Sequence, residues 1–154
     1  MRSLRRVGLV SALLLLFAAP AQARTDLPRQ LSLEWPANGT LTSPYGWDAN
    51  RPHSGLDIGI LRDLDVRAAA PGRVRQVGWL TGYEGYGVVV TVDVGAPYST
   101  LYAHLSRATV RPGQVVAAGE RLGIAGCTGW CTGTHLHFEL RRKGVDVDPS
   151  ALFE

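Results

Sequence analysis

The chain has a single lysine, Lys143, and only four histidines and two cysteines in 154 residues. It shows no repeat at a solenoid period, no low-complexity tract and no heptad pattern. A long amphipathic helix is missing as well, so strands are left as the main building element. The apolar stretch from Val7 to Ala19 is shorter than the ~20 residues that span a bilayer. Because no cysteine follows that stretch, lipid anchoring through an N-terminal cysteine is not indicated either.

What is present begins with Arg2, Arg5 and Arg6 ahead of the apolar stretch and Ala21-Gln22-Ala23 behind it. A basic start, a short apolar core and a small-x-small site read as a secretory signal peptide over residues 1–23. Residues 24–40 are then an N-terminal extension and residues 41–154 one domain, exported to periplasm, wall or medium, with no stable membrane anchor after processing. Removing the three early arginines from the 16 basic residues leaves 13, against 13 acidic residues. The basic balance of the whole chain therefore belongs to the export signal, and nucleic-acid binding is not read from it.

About 130 mature residues suffice for one domain with a real core. Val88 to Val94 is rich in β-branched residues and ends at Gly95-Ala96-Pro97, a strand followed by a turn. Gly72 to Trp79 alternates apolar with polar residues, the pattern of a half-buried strand. Ser99 to His104 and Gly133 to Arg141 are further strand candidates, and Lys143-Gly144 is a hairpin turn leading to Val145. The fold class is all-β, with 18 glycines available for tight turns.

All four histidines stand in suggestive company. In a strand over Thr134–Leu140, His135 and His137 share one face while Leu136 and Phe138 share the other. Two imidazoles looking into one space can hold a divalent metal or move a proton near neutral pH, and the plain alternative is a pair of satisfied polar residues. In His53-Ser54-Gly55-Leu56-Asp57, a strand again puts the first and fifth side chains on one face, with Gly55 able to bend the backbone. His104 lies in Leu101-Tyr102-Ala103-His104-Leu105-Ser106. Two imidazoles and one carboxylate are a ligand set of catalytic zinc sites, whose fourth position is kept for water.

The H-x-x-x-D of His53 and Asp57, the single His104 in Y-A-H-L-S, and the H-x-H of His135 and His137 resemble, in that order, the lysostaphin-like zinc metallopeptidases of family M23. Thr42-Ser43-Pro44-Tyr45-Gly46, Ala70-Pro71-Gly72, Gly113-x-x-Val116-x-x-Gly119 and Val147-Asp148-Pro149 extend the likeness from about Leu41 to the C-terminus. The resemblance implies a mostly antiparallel sheet forming an open groove (a duplicated hybrid motif). It further implies one Zn2+ per chain held by His53, Asp57 and His137, and His104 and His135 as catalytic residues. Peptidoglycan stem or cross-bridge peptides are the implied substrate. Within the same fold, the alternative is a non-catalytic wall-binding protein or amidase activator, but such relatives lack metal ligands that are present here. A lipoyl- or biotinyl-type carrier domain shares the Ala70-Pro71-Gly72 and Gly113–Gly119 turns. It needs a lysine at a hairpin tip, and the only lysine lies near the C-terminus.

Cys127 and Cys131 precede the H-x-H stretch, and in an exported chain so close a pair is expected as a disulfide rather than a metal site. It would add little global stability but would stiffen the turn that aims His135 and His137. The family commonly has Ser or Asn at these places. The segment from Trp47 to Pro52 is shorter than in many relatives, which suggests a more open groove. Tyr102, two residues from His104, belongs either to the core or to the site. Trp79, Tyr83, Tyr86 and Trp130 stand in glycine-rich stretches that either overhang the groove or pack beneath its loops.

Overall fold

β-Branched side chains lose rotamer freedom in a helix and pack well on a pleated surface, so valine-rich segments punctuated by glycine favour a sheet. The computed structural model describes residues 31–48 and 51–153. Among the described residues it contains twelve strands and two single-turn 3-10 helices. The strands are β1 (Thr40–Ser43), β2 (Gly46–Asp48), β3 (Arg51–His53), β4 (Leu56–Gly59), β5 (Asp65–Arg67), β6 (Gly72–Trp79), β7 (Val88–Asp93), β8 (Tyr98–Ala108), β9 (Val115–Val116), β10 (Arg121–Ala125), β11 (Leu136–Arg142) and β12 (Val145–Val147). The signal peptide expected over residues 1–23 lies outside the described residues.

The named strand pairings are all antiparallel. One sheet runs in the order β1-β4-β11-β8-β7-β6-β9, with β10 joining β5 and β8 and β12 joining β11. The hairpin β2–β3 stands apart and accounts for the short Trp47–Pro52 segment. As expected, Lys143-Gly144 is the turn between β11 and β12, both residues having positive φ.

Strand β8 is the spine. Its residues 98–103 pair with β11, whereas Leu105, Arg107 and Ala108 pair with β10 along the same edge. The partner changes at His104, whose φ of 59° marks a left-handed residue inside the strand. Such an irregularity breaks the two-residue alternation and re-aims a side chain. The chain from β10 to β11 therefore erupts as a loop beside His104.

One face of the central strands carries Leu136, Phe138, Leu140, Tyr102 and Ile58 into the main core, against Val66, Val74, Val116 and Leu122. Fully burying a side chain of Leu or Phe size contributes roughly 1.5–3 kcal/mol. The described part of residues 24–40 joins this core. Leu33 is wholly buried, its N–H donates to the Leu152 carbonyl (2.8 Å), and Ala37 bridges to Val66. The opposite face holds Asp57, His137 and Glu139, because residues directly paired across strands share a face and His137 pairs with both Asp57 and Ala103.

Candidate metal centre

Three side chains converge on that second face. The Asp57 carboxylate oxygen Oδ1 lies 2.8 Å from Nδ1 of His137 and 3.2 Å from Nε2 of His53, and the two nitrogens are 3.2 Å apart. Asp57 and His137 are cross-strand partners on β4 and β11, and His53 reaches them from the end of β3. His53 and Asp57 do not share one strand, as the spacing alone suggested. The extended strand is interrupted at Ser54-Gly55, between β3 and β4, and a Cβ on Gly55 would fall on the Phe138 carbonyl. Only glycine lets the backbone pass this close to β11.

The outer nitrogen of each ring settles the inner one. His53 donates from Nδ1 to the Pro44 carbonyl (2.7 Å), and His137 donates from Nε2 to the Glu139 carboxylate (3.1 Å). Each ring therefore turns a lone pair toward the cluster, where the carboxylate adds more. Three electron-rich donors this close repel one another unless a proton or a cation lies among them. Donors around a tetrahedral zinc ion stand roughly 3.3 Å apart, so the spacing and the chemistry of the set both suit that metal. Burial by itself opposes the charged forms. For Asp57, the bonds from His137 and His53 override it and hold the carboxyl well below its usual range. For His137, burial is outweighed by Asp57 and Glu139, which push the imidazole up to about 9. The Asp57 hydrogen bond raises His53 as well, against burial.

His104 and His135 line the same cleft, an open space of about 850 Å³. Their rings are 4.7 Å apart, and Nε2 of His135 is 3.7 Å from Asp57 Oδ1. His104 donates from Nδ1 to the Thr128 carbonyl and His135 from Nδ1 to the Gly133 carbonyl, each at 2.8 Å. Both Nε2 atoms thus keep a lone pair. Burial holds His104 below the usual imidazole range; the Thr128 carbonyl opposes this, while His135 and His137 add to it. His135 is not within a strand but forms an isolated bridge to Gly126, one residue before β11.

Two further outcomes depart from simple alternation. Tyr102 belongs to the core: its hydroxyl accepts the Ala69 N–H (2.8 Å), its ring packs 5.3 Å from that of Phe138, and the change of partner at His104 separates the two side chains. Cys127 and Cys131 form the expected disulfide. Their loop supplies the acceptors for His104 and His135, whereas His137 is held within β11 by Glu139.

Glu139 is the residue that motif reading passed over. It is wholly buried and accepts from His137, Ser54 Oγ (2.6 Å), Tyr86 Oη (2.7 Å) and Arg141 Nη2 (2.6 Å). Burial alone would raise its carboxyl, but these partners hold it low. The clue was available, since His135, His137 and Glu139 continue one two-residue alternation. Tyr83 and Tyr86 are half-buried against Val89, Leu101 and Ala103, with Tyr83 Oη accepting from Arg141 (2.8 Å) and Tyr86 lining the cleft, whereas Trp79 and Trp130 are exposed, Trp130 at the cleft.

An antiparallel sheet lining a cleft that holds two imidazoles and a carboxylate close together is an arrangement that could hold a metal ion. The family model of peptidase family M23 matches residues 51–149, and the chain belongs to this family. It is 39% identical over 127 residues to an uncharacterised metalloprotease of Haemophilus influenzae, covering 82% of this chain and 26% of that protein. It is 35% identical over 117 residues to the murein hydrolase activator EnvC of Escherichia coli, covering 75% and 27%. Among solved structures it resembles a zinc-containing peptidase from Vibrio cholerae, with a TM-score of 0.66, 27% identity, and coverage of 77% and 39%. The chain thus spans about a quarter of the length of these two curated relatives.

Proposed function

We propose that the protein is an exported zinc metalloendopeptidase that hydrolyses peptide bonds in peptidoglycan stem or cross-bridge peptides. The observation that carries this reading is the convergence of His53, Asp57 and His137, whose donor atoms all lie within 4.8 Å of one another, with two further imidazoles beside them in one cleft. Zinc held there would supply Lewis acidity, lowering the pKa of a bound water to roughly 7 and polarising a carbonyl.

The chain's own residues do the rest. His53, Asp57 and His137 would hold the ion, and Glu139 keeps His137 in the tautomer that offers Nδ1. His104 and His135 present Nε2 lone pairs to the cleft, so either can accept the proton of the attacking water and return one to the leaving amine. Burial favours neutral His104, the form able to act as a base near neutral pH.

Likeness to EnvC favours a second reading, in which the groove binds the wall or a partner amidase without cutting. Full retention of the five side chains argues for the peptidase. Purified peptidoglycan incubated with wild type, His135→Ala and His137→Ala, with zinc analysis of each, separates the two. Peptide fragments from wild type alone, zinc kept by His135→Ala and lost by His137→Ala, are the expected result. Zinc without fragments, together with stimulation of an added amidase, would favour the activator.

A further inference from the structure

The loop between β10 and β11 carries both carbonyls that orient His104 and His135, and its two halves are held differently. The first half is pinned to the body of the fold. Thr128 Oγ1 donates to the Leu105 carbonyl (2.7 Å) and accepts the Val88 N–H (3.0 Å), while the Trp130 N–H donates to the Gly85 carbonyl (2.8 Å). Gly129, at φ 73°, packs so close to Gly85 and Gly87 that a Cβ there would overlap their backbone.

The second half is different. Residues 132–134 are exposed, and no backbone hydrogen bond ties residues 131–134 to another element among the described residues. Their tie to the body is the bond from Cys131 to Cys127, whose Cα atoms are 5.3 Å apart. Cys127 adjoins Gly126, whose carbonyl accepts the His135 N–H at 3.3 Å. The Thr128 carbonyl, which aims His104, thus sits on a firmly held segment. The Gly133 carbonyl, which aims His135, sits on one anchored chiefly through the disulfide.

We propose that the Cys127–Cys131 disulfide is a positioning element for His135, acting through the Gly133 carbonyl, and that His104 is positioned independently of it by Thr128. This rests on the reading of His135 as a proton-transfer group, and it makes covalent loop closure, rather than strand geometry, the source of that group's alignment. Opening the loop frees the imidazole to rotate and to exchange tautomers. It leaves the donors of the metal cluster on β3, β4 and β11, where Asp57 is held by His53 and His137 and not by residues 127–134.

The test compares the zinc-loaded full chain with its Cys127→Ser/Cys131→Ser variant by long-range 1H–15N correlation of the imidazoles, zinc analysis and steady-state kinetics on soluble wall peptides. The expected result is a fixed Nδ1–H pattern for both histidines in wild type, and an averaged pattern for His135 alone in the variant. Zinc content should be unchanged and kcat lower by about 10- to 100-fold, with KM nearly constant. An unchanged His135 pattern, equal disturbance of both histidines, or loss of zinc would each overturn the proposal. If the variant does not fold, phosphine reduction and alkylation of the folded wild type yield the opened loop for the same measurements. A wild type that cuts nothing would sink the peptidase reading, while the imidazole patterns would still decide this one.

Discussion

Glu139 Oε1 lies 3.1 Å from Nε2 of His137, wholly buried, at the edge of the ring away from Asp57. A carboxylate there fixes the ring's orientation and tautomer and makes the inner nitrogen a better ligand. Glu139→Gln keeps an acceptor but loses the charge, and is expected to weaken zinc binding about tenfold; Glu139→Ala, which removes both, about a hundredfold. The alanine variant also strips the Ser54 and Tyr86 hydroxyls of their acceptor and half-unpairs Arg141, costing about 3 kcal/mol. Competition with a chelator and urea denaturation measure the two effects. Unaltered zinc affinity in both variants would mean that Glu139 serves packing only.

Gly55 immediately precedes the Leu56–Phe138 pair at which β4 begins its pairing with β11, and a Cβ there would meet Glu139 Cγ at 3.0 Å as well as the Phe138 carbonyl. Backbone on backbone cannot yield as a side chain would, so Gly55→Ala has to push the two strands apart. We expect a loss of roughly 1–3 kcal/mol together with weaker zinc binding, because Asp57 and His137 are partners across this seam. If urea titration shows no destabilisation, the approach is looser than the geometry indicates.

Tyr102 offers a contrast between core and site. Its hydroxyl accepts the Ala69 N–H and lies 3.2 Å from Thr100 Oγ1, all of it buried. Tyr102→Phe leaves these groups without a partner and should cost about 1–3 kcal/mol, with zinc content and the proposed turnover of the folded protein unchanged. Turnover lost while stability is retained would return Tyr102 to the site.

Period and punctuation made much of the fold legible. Gly72–Trp79 alternates as a half-buried strand and is one; the valines from Val88 form β7; Lys143-Gly144 turns β11 into β12. The three histidine motifs converge as their types suggested; His135 and His137 share a face by alternation, whereas His53 with Asp57 and His104 do not converge for the strand-face reasons that spacing offers. Asp57 meets His53 across the interruption between β3 and β4, and His104 faces the cleft because β8 changes partner there. Both depend on contacts between segments distant in sequence, which local alternation does not encode. Glu139 differs again: alternation places it on the face of His135 and His137, but its burial and its partners His137, Ser54, Tyr86 and Arg141 arise only from the assembled sheet.

Metal removal should make the protein's behaviour depend on pH through His137. Asp57 and Glu139 overcome burial and push this imidazole up to about 9, above its ordinary value of 6.5. A raised pKa means that the stripped fold binds a proton more tightly than the unfolded chain does. The stabilisation is therefore complete below 6.5 and disappears as pH rises through about 9, an effect of the order of 3 kcal/mol. Zinc must displace the same proton, so its apparent affinity should rise from pH 6.5 to about 9 and then level off, with protons released on binding. His53, raised in the same direction, steepens the lower part of that window. Chelator-treated protein should thus show a melting temperature that falls between pH 6.5 and 9, while the zinc-loaded protein gains on it over the same interval. A stripped protein that grows more stable toward pH 9, or zinc affinity flat across the window, would contradict a proton held among Asp57, His137 and Glu139.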